Sequence, residues 1–282
     1  LYTETFPLDG YNLRMPSRFI DTLVTSEDPI PDGVPNPIHE AEGADAAGYA
    51  GALVAGIRTY GWATNTLTKA LGKEWLESGW IDYSLRRPLF ADEVLNIIVE
   101  EQDSHWSLSC IAGEEEKRVV LVGTAGPGNA VWLDEFEPPE PGTMQPQPES
   151  LPTYDLDNVP LRQPLNPLTV HLSSEQSRLL VAKDLGLDTS HYVSEDINPA
   201  FVHPYFLSGR MSPLTRHNFV YGPTIHVRSQ IQHKREARAD QEITVSAQIV
   251  DTYDRKGHWY QVLDGIVTDS EGEVALIRHH NI

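Results

Sequence analysis

Nine of the chain's 21 prolines fall between Pro138 and Pro167, and no lysine or arginine lies between Arg118 and Arg162. Each proline fixes φ and removes a backbone donor, so this tract can be neither a helix nor an inner strand. It predicts an extended, acidic crossover over 136–165 that divides the 282 residues into an N-terminal unit, 1–135, and a C-terminal unit, 166–282. Either unit is long enough to bury a core without staples. None is on offer: Cys110 is the single cysteine, which excludes an intrachain disulfide and any cysteine-rich zinc site.

The charge narrows the partners. With 21 basic and 41 acidic side chains the formal charge is −20. A surface that coats nucleic acid needs a basic stripe, and docking on anionic lipid needs the same sign. The longest apolar run, 46–57, is too short to span a bilayer. The first five residues lack the basic and apolar parts of a signal peptide. A cytoplasmic protein without a nucleic-acid or membrane partner is expected. No histidine pair has dependable zinc spacing, so no metal is expected either.

Each half carries a helix and a set of strands. Leu53, Ile57, Tyr60, Thr64, Leu67 and Leu71 step by four and three residues, which places one helical face against a core, and Gly72 stands where a C-terminal cap belongs. Strand-like runs follow at 80–85, 94–100, 106–110 and 119–122. In the second half a helix is predicted to begin at His203-Pro204, with an interruption near Pro213. Alternating strands follow around 225–231 and 243–249, with hairpin turns at Asp254-Arg-Lys-Gly257 and Ser270-Glu-Gly272 and a last strand at 274–278. Strands gathered around one helix per half are an α+β pattern rather than a βαβ repeat.

The halves register on each other. Arg87…Ala91-Asp92 matches Arg235…Ala239-Asp240, and the same spacing counted back from each arginine aligns Ala55 with His203. Leu53-Val-Ala-Gly56 then aligns with Phe201-Val-His-Pro204, so the chain is expected to be a duplicated fold.

These segments resemble the double hotdog proteins of the MaoC-like, (R)-specific enoyl-CoA hydratase group. Asn36-Pro-Ile-His39 resembles the end of the hydratase signature Asp-x-Asn-Pro-(aliphatic)-His. Residues 47–56, Ala-Gly-Tyr-Ala-Gly-Ala-Leu-Val-Ala-Gly, resemble the entry to the hotdog helix, and the two Arg…Ala-Asp segments resemble the bend after it. The resemblance implies a double hotdog: two antiparallel sheets, each wrapping a central helix and pairing as a pseudo-dimer. It implies a hydratase or dehydratase that adds water across the 2,3 double bond of an acyl-CoA thioester, with no cofactor beyond the CoA of the substrate. A homodimer of double hotdogs is an expected assembly.

The resemblance also assigns roles. His39 takes the catalytic histidine position; Asn36 orders its loop; the backbone at Ala55 and Gly56 meets the thioester at the helix start. The signature aspartate falls at Val34, so Asp32 or Asp28 must supply the carboxylate if one is used. His203 and Tyr60 are candidates for a contribution from the second half, and Arg86, Arg87 and Arg235 for the CoA phosphates. Because the same fold hosts other chemistry, an acyl-CoA thioesterase and a non-catalytic acyl- or polyketide-binding protein remain alternatives.

Overall fold

Period-two burial organises the first four strands of the chain. In a computed structural model, residues 17–28, 36–187 and 191–282 are described. The first half comprises β1 (Arg18–Val24), a 3-10 turn (Pro37–His39), α1 (Ala41–Ala46), α2 (Gly56–Leu71), α3 (Trp75–Ser78), β2 (Trp80–Leu85), β3 (Val94–Glu101), β4 (Trp106–Ala112) and β5 (Arg118–Gly126). The second comprises β6 (Leu168–His171), α4 (Ser174–Asp184), α5 (Pro204–Ser208), α6 (Met211–Asn218), β7 (His226–His233), β8 (Glu242–Arg255), β9 (His258–Asp269) and β10 (Gly272–Asn281). Leu95, Ile97 and Val99 of β3 are buried and alternate with half-buried neighbours, whereas β8 is buried continuously from Val245 to Ile249.

The strands lie in the order β1-β3-β4-β5-β2-β7-β10-β9-β8-β6. Read inward from each edge, the two halves repeat one five-stranded topology and meet where β2 pairs antiparallel with β7, from Trp80↔Gln232 to Ser84↔Arg228. The two expected sheets are therefore continuous. The duplication reaches individual bonds. The bridge Leu53↔Phe90 recurs as Phe201↔Arg238. The bond from Val54 N–H to Leu89 O recurs from Val202 N–H to Ala237 O, at 2.8 and 2.9 Å. Asp92 and Asp240 share the same left-handed φ of 62°. The register that aligns Ala55 with His203 is thus a structural repeat.

α2 buries Tyr60, Thr64 and Leu67 against the sheet and ends at Gly72, whose φ of 84° only glycine adopts without strain. The first turn begins at Gly56, after Leu53 N–H has been given to the Ile38 carbonyl and Val54 N–H to the Leu89 carbonyl. In the second half the helix breaks at Gly209-Arg210, between α5 and α6, rather than at the expected Pro213. Pro213 is instead accommodated in the first turn of α6, where its missing N–H has no intrahelical partner to lose.

Residues 136–165 hold no helix or strand, only isolated bridges such as Leu161↔Ile249. They are nonetheless seated on the second half of the sheet. Glu137 N–H donates to Asp264, Gly142 N–H to Ser246 and Gln248 to the Glu137 carbonyl, at 2.7–3.0 Å. Among the described residues no helix is long and apolar enough to cross a membrane.

Candidate active site

The entry to α2 gathers the functional groups. Ile38 anchors the 3-10 turn in the core, and its carbonyl accepts from Leu53 N–H at 3.0 Å. The turn thereby delivers His39 to the helix start. His39 Nδ1 lies 2.7 Å from the Leu53 carbonyl and 3.1 Å from Asp28 Oδ2. A carbonyl only accepts, so Nδ1 carries the hydrogen; in the neutral ring Nε2 is then the free lone pair.

Asp28 comes from the segment that follows β1. Its Oδ2 also accepts from Ala55 N–H at 2.8 Å, and its Oδ1 from Arg58 at 2.8 Å. The Arg58 guanidinium is buried and fully employed. It donates to the carbonyls of Ser26 and Glu27, to the Ser26 hydroxyl and to the Asp184 carbonyl, at 2.5–3.1 Å. A cation in the first turn of a helix opposes the helix dipole unless an anion compensates it. Asp28 is that anion.

The electrostatics follow. Burial pushes the Asp28 carboxyl up, but hydrogen bonding to and the charges of His39 and Arg58 outweigh it and hold it below the usual carboxylate range. Burial pushes His39 down, but the Asp28 hydrogen bond and charge outweigh it and raise the imidazole above its ordinary value. Arg216, from α6 of the other half, acts on His39 in the opposite sense.

The remaining candidates fall in several places. Asp32 and Val34 lie outside the described residues. Asn36 does bond to backbone, but across the halves: its Nδ2 donates to Thr224 O at 2.7 Å, and Thr224 N–H returns to its Oδ1 at 3.4 Å. The Ala55 N–H is given to Asp28 and is not open to a ligand. Gly56 permits a close approach, but by Leu85, whose Cδ1 stands 2.1 Å from where a Cβ would sit. Tyr60 is core: it stacks on Tyr83 at 5.2 Å, its hydroxyl 3.4 Å from His233 Nε2. His203 caps α5, accepting from Tyr205 N–H at 3.2 Å, and burial pushes its pKa down to about 3, so it is neutral. Its ring neighbours are Tyr192 and Tyr205, not the His39 group.

Arg235 is already committed. It pairs with Asp269 and donates to the Gly272 carbonyl, so its charge closes a strand end rather than facing a ligand. Arg86 and Arg87 are exposed and have no ion pair among the described residues. They follow Leu85 directly, and Leu85 packs on the start of α2.

Sequence reasoning missed Arg58 and Arg216. For Arg58 a signal existed: a lone cation at a helix N-terminus asks for a buried anion. For Arg216 none did, because its relation to His39 arises only when the halves meet.

No protein-family profile matches the chain, and no curated protein sequence matches it. Solved structures do. A putative MaoC domain protein dehydratase from Chloroflexus aurantiacus matches with a TM-score of 0.63 at 9% identity, over 95% of both chains. A conserved hypothetical protein of Mycobacterium tuberculosis, described as having a double hotdog fold, matches with a TM-score of 0.61 at 13% identity, over 96% of both. A structure described as a MaoC-like dehydratase matches with a TM-score of 0.55 at 16% identity, over 87% of this chain and 89% of that one. Together with the repeated five-stranded topology around α2 and α5–α6, these likenesses identify the chain as an α+β double hotdog protein structurally similar to MaoC-like dehydratases.

Proposed function

We propose that the protein is a hydratase/dehydratase of 2-enoyl thioesters, with His39 as the group that moves the proton. The observation that carries this reading is the His39–Asp28 pair at the entry to α2, set with Nδ1 protonated and Nε2 unengaged among the described residues. Nε2 takes a proton from water as the water oxygen bonds to C3 of the thioester. The π electrons move toward C2 and the thioester carbonyl, and the imidazolium returns its proton to C2. The net change is addition of one water; dehydration is the reverse.

Asp28 does not share in the proton movement, because both its oxygens already accept from protein donors. It fixes the imidazole and compensates the charge that His39 gains. The developing enolate oxygen is met by the N–H at Gly56, which has no partner among the described residues, with the dipole of α2 behind it. In this reading Arg86 and Arg87, exposed and next to Leu85, meet the phosphates of a CoA thioester. The step needs no metal or redox group.

Incubation with crotonyl-CoA tests this. Expected is 3-hydroxybutyryl-CoA with the thioester intact. Release of free CoA thiol without hydration would make the protein a thioesterase instead, and neither product would leave it a binder.

A further inference from the structure

The structural repeat gives the His39 and Arg216 positions counterparts elsewhere in the molecule. Counted back from His203 by the spacing that separates Ala55 from His39, the chain reaches Leu187. Counted forward by the spacing that separates His203 from Arg216, it goes from Ala55 to Thr68. At the first site, Arg216 of one half acts on His39 of the other. At the second, Thr68 of the first half and Leu187 of the second line the same cleft, of about 580 Å3. The two counterparts thus face one space, of a size that suits a small-molecule ligand.

We propose that this cleft is a second binding site for the same class of ligand, an acyl-CoA thioester, held there without being hydrated. The proposal rests on the reading of the His39 site. Hydration is excluded by the residue at the equivalent position: Leu187 has no atom that takes a proton. Binding is supported by what lines the cleft. Lys69 and Lys73 from α2 and the turn after it stand at its α2 side. Lys69 is paired with Asp21, and Lys73 is exposed without an ion pair among the described residues. In a chain of charge −20 an uncompensated lysine beside a cleft, Lys73, favours an anionic, phosphate-bearing ligand.

The opposite wall is aromatic and polar. The Tyr192 ring packs on His191 and His203, at 4.1 and 4.5 Å between ring centres. The Tyr192 hydroxyl is buried beside the Glu236 carboxylate, and burial and that charge push its pKa up. His191 is held by Glu236 at 2.8 Å, which fixes this wall in place.

The test counts sites on the full chain. Titration calorimetry with butyryl-CoA, which has no double bond to hydrate, should give two equivalents per chain. Leu187→Trp, or Thr68→Trp from the opposite wall if the first variant folds poorly, should reduce this to one while crotonyl-CoA is still hydrated. Lys73→Glu should weaken one of the two equivalents about tenfold. A single equivalent that neither tryptophan variant removes overturns the inference and leaves the His39 reading standing. Two equivalents untouched by both variants overturn it as well. If butyryl-CoA does not bind and crotonyl-CoA is not hydrated, the reading of the His39 site fails with it.

Discussion

Asp28→Asn removes one charge from a buried group of three and keeps its shape. In the native chain the carboxylate accepts from Arg58, Ala55 N–H and His39 Nδ1. An amide cannot do so on both sides: one of its ends donates and faces a donor. The Arg58 side chain, 4% exposed, is left without its anion. Leaving one partner of a buried pair uncompensated costs about 3–5 kcal/mol, a large part of the stability of an ordinary domain.

The same variant separates the two titrations. The depressed Asp28 pKa stabilises the native fold fully above the unfolded value of 3.8, and that contribution is lost as pH falls through the lower folded value. The raised His39 pKa works the other way: its contribution is complete below 6.5 and is lost as pH rises through the folded value. Without the Asp28 hydrogen bond and charge, burial and Arg216 are left to push His39 down. The His39 ring resonance, followed by NMR, should titrate above 6.5 in the native protein and below it in the variant, and the acidic limb of kcat should move down with it. Urea unfolding near pH 7 should show the lost stability. A variant whose His39 midpoint stays above 6.5, with unfolding free energy within about 0.5 kcal/mol of native, would refute the coupling.

Other perturbations follow from the same geometry. Gly56→Ala drives a Cβ against Leu85 and should cost about 1–3 kcal/mol, read by urea unfolding, with most of it recovered by adding Leu85→Ala. Asn36→Ala removes the bond to Thr224 and should cost about 0.5–1.5 kcal/mol. Amide exchange at Leu53, which is bonded to the Ile38 carbonyl, should quicken with it. Leu67→Ala opens a cavity under α2 and should cost about 2–5 kcal/mol without moving the His39 midpoint.

What the sequence disclosed depended on how local the cause was. β2 occupies the residues its apolar alternation picked out, and the face of α2 through Tyr60, Thr64 and Leu67 was visible as a four-three step. The two Arg…Ala-Asp bends revealed the repeat because each bend fixes an aspartate at positive φ. β1 and β6 were missed because they are the sheet's edges. β1 packs Phe19 and Leu23 on the core but sets Asp21 between them and leaves Ile20 and Val24 exposed, so its hydropathy does not follow its burial, and β6 is only four residues long. From the sequence alone Asp28 is one of two candidates, beside Asp32. What selects it is Arg58, a contact between a helix and the segment after an edge strand. Asn36–Thr224 joins the two halves, and no pattern within one half encodes it.

The account turns on His39 moving the proton while the fold merely presents it. The most direct measurement is the steady-state kinetics of His39→Ala with crotonyl-CoA. The expected result is a kcat lowered by about 100-fold or more, with KM changed only a few-fold. A variant that keeps near-native kcat would contradict the assignment and move the search for the proton-transfer group elsewhere in the fold.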